Sequence, residues 1–266
     1  MVNIAVAQFA PGLDKQQNEK DIAELVSEAA QLGARLVVLP EYAMFTAPSM
    51  DGSFLDTAEP LSGPFVTGLS ELARELSIFV VAGINEELEG GEQISNTLVA
   101  VGPQGGVVAI YRKLHLYDAF GYQESALVRP GEIEAPETFE IDGISFGMQT
   151  CYDLRFPEVT RRIVDAGAQV LLLPAEWVPG PLKEDHWTTL LRARAIENTI
   201  YVAAADQCAP TGAGNSMIVD PMGVVLASLG EQKAVATAEL TEERLRTVRL
   251  KNPALELRRF TIAANS

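Results

Sequence analysis

The sequence predicts an α/β protein in which two sheets face each other with helices on their outer sides, residues 1–266 forming one domain. Three observations predict it. Short apolar runs alternate from end to end with amphipathic stretches at helical spacing. The run Gly33-Ala-Arg-Leu-Val-Val-Leu-Pro40 is echoed by Gly167-Ala-Gln-Val-Leu-Leu-Leu-Pro174, each after an amphipathic helix, which reads as two similar α-β halves. No low-complexity linker splits the 266 residues, and a hydrophobic content of 47% can fill a large core without disulfides or a structural metal.

In chain order, Asn3 to Gln8 reads as a short strand. Over 18–32, Ile22, Leu25, Val26, Ala29 and Ala30 share one helical face, and Gly33 suits the left-handed position that ends a helix. Leu36-Val37-Val38-Leu39 is a strand buried on both faces, closed by Pro40. A helix over 64–76 and a strand over Ile78 to Ala82 follow, then a hairpin over 95–112 turning at Gly-Pro-Gln-Gly-Gly. Residues 116–142 have little periodicity and read as a long functional loop ending in a short strand. Ile144, Phe146 and Met148 alternate into a strand running up to Cys151, and Pro157 opens the next helix. After the second echo come a helix over roughly 184–197, strands near 201–205, 216–219, 224–227 and 234–238, a short helix over 242–248, and an extended tail.

Composition excludes several classes. Twenty Lys and Arg against 36 Asp and Glu give a formal charge of −16, which opposes nucleic acid and anionic membrane surfaces. No apolar stretch reaches the roughly 18–20 residues of a membrane span, and Met1 to Ala10 lacks the basic and long apolar regions of a signal peptide. A cytoplasmic protein is expected. Two cysteines and two histidines, far apart, make a poor zinc set, so no metal is expected.

Three residues carry most of the candidate chemistry. Cys151 ends an apolar strand and precedes a helix start, where backbone N–H groups favour a thiolate nucleophile; a buried structural thiol has the same sequence context. Cys208 reads as bland. Glu41 follows Val-Val-Leu-Pro at a strand mouth, a place for a general base, though a solvated strand-end glutamate reads the same. It also marks where the two echoes diverge, since Ala175 holds the matching position, as expected for one active site on a pseudo-symmetric frame. Lys113, after the hairpin, suits an oxyanion partner as well as a surface lysine. His115 and His186 are alternative bases, but neither has an evident orienting residue.

Together, Glu41 in Leu-Pro-Glu-Tyr, Lys113 in Tyr-Arg-Lys-Leu-His-Leu-Tyr-Asp and Cys151 in Thr-Cys-Tyr-Asp-Leu-Arg-Phe-Pro-Glu resemble the nitrilase (carbon–nitrogen hydrolase) superfamily and its Glu-Lys-Cys triad. Gln123-Glu124-Ser125 matches a segment holding a second family glutamate, and the resemblance runs from Ala5-Val-Ala-Gln8 to Asn215-Ser-Met-Ile-Val-Asp-Pro221. It implies an αββα four-layer sandwich of two mixed sheets, a homodimer or higher homo-oligomer, and no cofactor. It also implies a cysteine-dependent amidase acting on a small-molecule amide, with catalytic roles for Glu41, Lys113, Cys151 and Glu124. The sequence around Cys151 is most similar to the omega-amidase and deaminated-glutathione amidase branch, which hydrolyses terminal amides of dicarboxylates. In that setting Arg155 would hold the substrate carboxylate, although a pair with Asp153 or Glu158 is an equal reading. Tyr42, Phe120, Tyr152, Glu176 and Trp177 would shape the pocket, Trp177 reading equally as core. The segment Trp177 to Lys183 departs from the branch pattern Thr-Gly-Pro-Ala-His-Trp. Nitrilase, aliphatic amidase and N-carbamoyl amino-acid hydrolase therefore stand as alternatives, with a non-catalytic binding protein on this fold behind them.

Overall fold

The structure is a computed structural model and describes residues 1–264. The first half of the chain supplies β1 (Val2–Gln8), α1 (Lys15–Gln31), β2 (Leu36–Val38), α2 (Ser53–Asp56), α3 (Pro64–Leu76), β3 (Phe79–Glu87), β4 (Ile94–Val101) and β5 (Val107–Arg112). The second supplies β6 (Thr138–Ile141), β7 (Ile144–Met148), α4 (Pro157–Asp165), β8 (Val170–Ala175), α5 (Lys183–Asn198), β9 (Tyr201–Asp206), β10 (Met217–Val219), β11 (Val225–Ser228), β12 (Ala234–Leu240) and α6 (Glu242–Lys251).

The strands form two six-stranded sheets, β12-β1-β2-β3-β4-β5 and β6-β7-β8-β9-β10-β11. Both run through the same succession of pairings: antiparallel, parallel, parallel, antiparallel, antiparallel. Register makes the echo structural. Leu36 lies between Ile4 and Phe79 as Val170 lies between Phe146 and Tyr201, so Pro40 and Pro174 are matched positions.

Burial on both faces explains the unbroken apolar runs of β2 and β8. Ile4, Val38, Val81, Phe146, Leu172 and Ala203 point into the layer between the sheets. Alternate residues such as Val37, Val80 and Ala82 pack under Ile22, Leu25, Phe65 and Leu69 of α1 and α3. Leu171, Leu173 and Val202 pack under Val159, Ile163, Trp187 and Leu191 of α4 and α5. The result is helix, sheet, sheet, helix. The Asp14 carboxylate caps α1 by accepting from the N–H groups of Gln16 and Gln17, and Gly33 leaves the helix at φ +79°. Pro64 and Pro157 begin α3 and α4.

Two segments differ from expectation. β3 continues past Ala82 to Glu87 because its polar end is paired: Glu86 accepts two hydrogen bonds from Arg112, at 2.7 and 2.6 Å, and one from Thr97. β7 stops at Met148 rather than Cys151. The chain then makes a 3-10 turn over Cys151–Arg155, closed by reciprocal hydrogen bonds between Thr150 and Asp153. Among the described residues, no helix is long and apolar enough to cross a membrane.

Candidate active site

Strand ends bring the candidate residues to one rim. Glu41 follows β2, Lys113 follows β5, Cys151 follows β7 and Glu176 follows β8, while Asp206 ends β9. The carboxyl ends of parallel strands are where open α/β sheets place their ligands. Glu124 arrives from the long loop, on a 3-10 turn over Glu124–Ala126.

Glu41 and Glu124 share one ammonium. Lys113 Nζ lies 2.8 Å from Glu41 Oε1 and 2.8 Å from Glu124 Oε2, and all three side chains are buried. The remaining lone pairs are also used. Asn96 Nδ2 donates to Glu41 Oε1 at 2.6 Å and to Glu124 Oε1 at 2.9 Å. The Glu176 N–H donates to Glu41 Oε2 at 2.6 Å, the Tyr42 hydroxyl to Glu124 Oε1 at 2.7 Å, and the Tyr117 N–H to Glu124 Oε2 at 2.6 Å. Satisfaction of this kind is what permits charges in a low-dielectric interior. Sequence reasoning missed Asn96. Its signal was a polar amide inside the apolar run Ile94 to Val101, where burial demands a polar partner.

Burial pushes the Lys113 ammonium towards losing its proton, but the neighbouring Glu124 and Glu41 outweigh it and hold its pKa well above the ordinary lysine value. Burial raises Glu124, yet the Lys113 charge and the hydrogen bonds it receives leave it below the usual carboxylate range. Cys151 goes the other way. Burial and the Glu41 charge push the thiol well up, and Lys113 offsets only part of this. The expected thiolate is therefore corrected: at rest Cys151 is a thiol, donating to the Glu176 carbonyl at 3.5 Å. The helix expected to stabilise a thiolate begins only at Pro157, and Cys151 itself sits at φ +41° in the preceding turn. Burial and the Glu41 charge also raise Glu176 and Asp206, the Trp177 N–H offsetting part of the shift at Asp206.

Glu41, Lys113, Glu124 and Cys151 line one cavity of about 310 Å³, with Tyr42 and Glu176 on its wall. Tyr117, Ala47 to Met50, Val178 with Pro179, and Pro210 with Thr211 are also on the wall. Clefts of about 450 and 630 Å³ elsewhere hold none of the four, so chemistry rather than size selects the site. The other four expected pocket residues do not line this cavity, which corrects their placement. Arg155, Phe120, Tyr152 and Trp177 gather beside it: the Arg155 guanidinium stands 4.8 Å from the Trp177 ring, 5.8 Å from Phe120 and 6.0 Å from Tyr152. Nor does Arg155 pair with Asp153 or Glu158. Asp153 is occupied by the Tyr111 hydroxyl and by His115, through its N–H and its ring nitrogen. Those contacts fix the turn bearing Cys151 and leave His115 a structural partner. Among the described residues, no group of three or more His, Cys, Asp or Glu is placed to hold a metal ion.

One glycine sets the approach of Glu41. A Cβ on Gly83 would stand 2.5 Å from the Tyr42 nitrogen and 2.7 Å from Glu41 Cα, both backbone atoms that cannot swing aside. Gly83→Ala is expected to cost about 2–3 kcal/mol, lower Tm by roughly 5–10 °C, and reduce turnover by shifting Glu41. A thermal melt and an activity assay check this; an unchanged Tm would show that the β2–β3 contact yields.

An αββα sandwich with a glutamate, a lysine and a cysteine meeting at the strand ends is the architecture of nitrilase-superfamily hydrolases. The carbon-nitrogen hydrolase family pattern matches residues 3–250, and the chain belongs to that family and is a carbon–nitrogen hydrolase. It is 42% identical over 258 residues to a deaminated glutathione amidase of Escherichia coli O157:H7, covering 97% of each chain. Nit3 of Saccharomyces cerevisiae, a member of branch 10 of the nitrilase superfamily, superposes with a TM-score of 0.86 at 30% identity, over 97% of each chain. A glutamate-to-glutamine mutant of an amidase from Nesterenkonia sp. AN1, carrying acrylamide added at its active-site cysteine, gives a TM-score of 0.80 at 29% identity, covering 97% of this chain and 100% of that one.

Proposed function

We propose that the protein is a cysteine-dependent amidase that hydrolyses the terminal amide of a small, carboxylate-bearing substrate to a carboxylate and ammonia through a thioester on Cys151. The observation that carries this is the buried Lys113–Glu41 pair at 2.8 Å in the same cavity as a neutral cysteine. A thiol at rest needs a base when it attacks, and Glu41 is the adjacent carboxylate. Glu41 takes the thiol proton as the Sγ–C bond forms and the carbonyl π pair moves onto oxygen. The Lys113 ammonium and the Tyr152 backbone N–H hold that oxyanion, each donor contributing roughly 3–4 kcal/mol to lowering the barrier. When the C–N bond breaks, Glu41 returns the proton to nitrogen and ammonia leaves. A water then gives its proton to Glu41 and its oxygen to the thioester carbon; the S–C bond breaks and Sγ recovers the proton. Glu124 anchors Lys113 and orients the substrate nitrogen.

The relatives support this reading. One is named for an amidase activity, and another is a mutant amidase that carries acrylamide added at its active-site cysteine. A carboxylate on the substrate is supported by Arg155, a guanidinium near the cavity with no carboxylate partner among the described residues.

Ammonia release from a panel of amides, nitriles and carbamoyl compounds tests the proposal and separates it from nitrilase, aliphatic amidase and N-carbamoyl hydrolase. Glutaramate is expected to exceed pentanamide in kcat/KM by about tenfold or more, the worth of a charge-assisted contact. Pentanamide equalling or surpassing glutaramate would refute a carboxylate-bearing substrate. Turnover confined to nitriles would refute the amidase.

A further inference from the structure

Lys183 stands in a place that stability alone does not explain. It is the first residue of α5, the end of a helix that repels cations, and it is only 6% exposed. Among the described residues the ammonium's one hydrogen-bond partner is neutral: Nζ donates to the Tyr117 hydroxyl at 2.9 Å. The ammonium lies 4.8 Å from the Tyr117 ring, 4.9 Å from Phe120 and 5.0 Å from Trp177. Glu184 and Asp185, next along α5, face solvent and form no ion pair with it. Burial and the like charge of Arg155 push its pKa down.

Arg155 shares this surrounding. Its guanidinium lies against the same Phe120 and Trp177 rings, its Nε is buried with no partner, and its nearest polar contact is His186 Nδ1 at 3.4 Å. Two cations thus occupy one aromatic corner, and among the described residues no carboxylate pairs with either. Charge withdrawn from water without a counterion is costly, and a chain that keeps a buried ammonium beside a half-buried guanidinium holds a seat for an anion. The seat adjoins the cavity of Cys151. Tyr117 lines that cavity, and so do Val178 and Pro179 of the loop that Trp177 Nε1 closes onto the Lys183 carbonyl at 2.7 Å. Phe120, 69% exposed and at φ +55°, covers both cations from the solvent side.

We propose that Lys183 is a specificity-determining residue that, together with Arg155, seats the substrate's distal carboxylate under Phe120. The inference rests on the amidase reading and deepens it: the preferred substrate is an amide whose carboxylate is held between an ammonium and a guanidinium. The carboxylate accepts from Lys183 Nζ the hydrogen bond now made to Tyr117.

The test compares wild type, Lys183→Gln and Lys183→Arg by three measurements. In turnover, the glutamine variant should raise KM for glutaramate about tenfold or more, leave its kcat within about threefold, and leave pentanamide unchanged, while arginine retains most of the preference. In binding, glutarate titrated against tryptophan fluorescence reports the seat directly, since Trp177 borders both cations and is one of only two tryptophans. Its affinity should fall about tenfold or more in the glutamine variant. In melting, loss of an unpaired buried cation should hold or raise Tm. Equal losses on glutaramate and pentanamide, unchanged glutarate affinity, or a lowered Tm would each overturn the seat. Absence of ammonia from both amides with glutarate binding still dependent on Lys183 would instead overturn the amidase reading and leave the seat standing.

Discussion

Cys151→Ala is expected to lower amide turnover to about 10⁻⁴ of wild type or less, because the sulfur is the atom that bonds to carbon. The fold should survive. Among the described residues the thiol's one hydrogen bond is a 3.5 Å contact to the Glu176 carbonyl, and the turn is held by Asp153, Tyr111 and His115 rather than by sulfur. Tm should therefore move by no more than about 2–4 °C, roughly 1 kcal/mol. A folded alanine variant with turnover near wild type would remove the nucleophile from the account. Cys151→Ser is an informative companion: its hydroxyl has a far higher pKa than a thiol, so a glutamate base activates it poorly and activity should also be nearly absent.

Lys113→Met is expected to have the largest effect on stability. The ammonium is the only cation paired with Glu41 or Glu124 among the described residues, and Asn96 spans both carboxylates. Removing it leaves two buried like charges facing each other, a loss of about 3–5 kcal/mol, or roughly 10–15 °C in Tm. The pH dependence should reverse as well. In wild type the Glu124 pKa is depressed in the fold, so its contribution is present above the ordinary carboxylate pKa and is lost as pH falls through the lower folded value. Without Lys113, burial outweighs the hydrogen bonds left to Glu124 and its folded pKa rises, so the variant should gain stability as pH falls from neutrality towards 5. Melting curves of both proteins over that range check the sign; parallel slopes would mean that Lys113 does not govern Glu124. Turnover by Lys113→Met should be lost at every pH.

Much of this was legible in the chain. The apolar runs of β2 and β8 announced doubly covered central strands, and the repeated Gly33–Pro40 pattern announced matched halves, because burial and helix termination leave local marks. Glu41, Lys113 and Cys151 were legible for a related reason: each comes shortly after a recognisable strand, so topology carries it to the rim. What failed to show depended on neighbours distant in sequence. The state of Cys151 is set by burial and by Glu41, not by the turn that the sequence displays. Asn96 looked like one polar residue in a hairpin until the fold placed it between two carboxylates. Arg155 was recognised as a cation, but its direction follows from Trp177 and Phe120, and its companion Lys183 comes from another element altogether. Side chains that meet across loops leave no periodic trace.

The account turns on a covalent acyl group at Cys151, and trapping by hydroxylamine measures that most directly. Glutaramate and its N-methyl amide would pass through the same thioester after different amines have left. The ratio of hydroxamate to acid at a fixed hydroxylamine concentration should therefore be identical for the two. A ratio that changes with the departing amine would mean that water or hydroxylamine attacks the amide itself, with no common intermediate on sulfur.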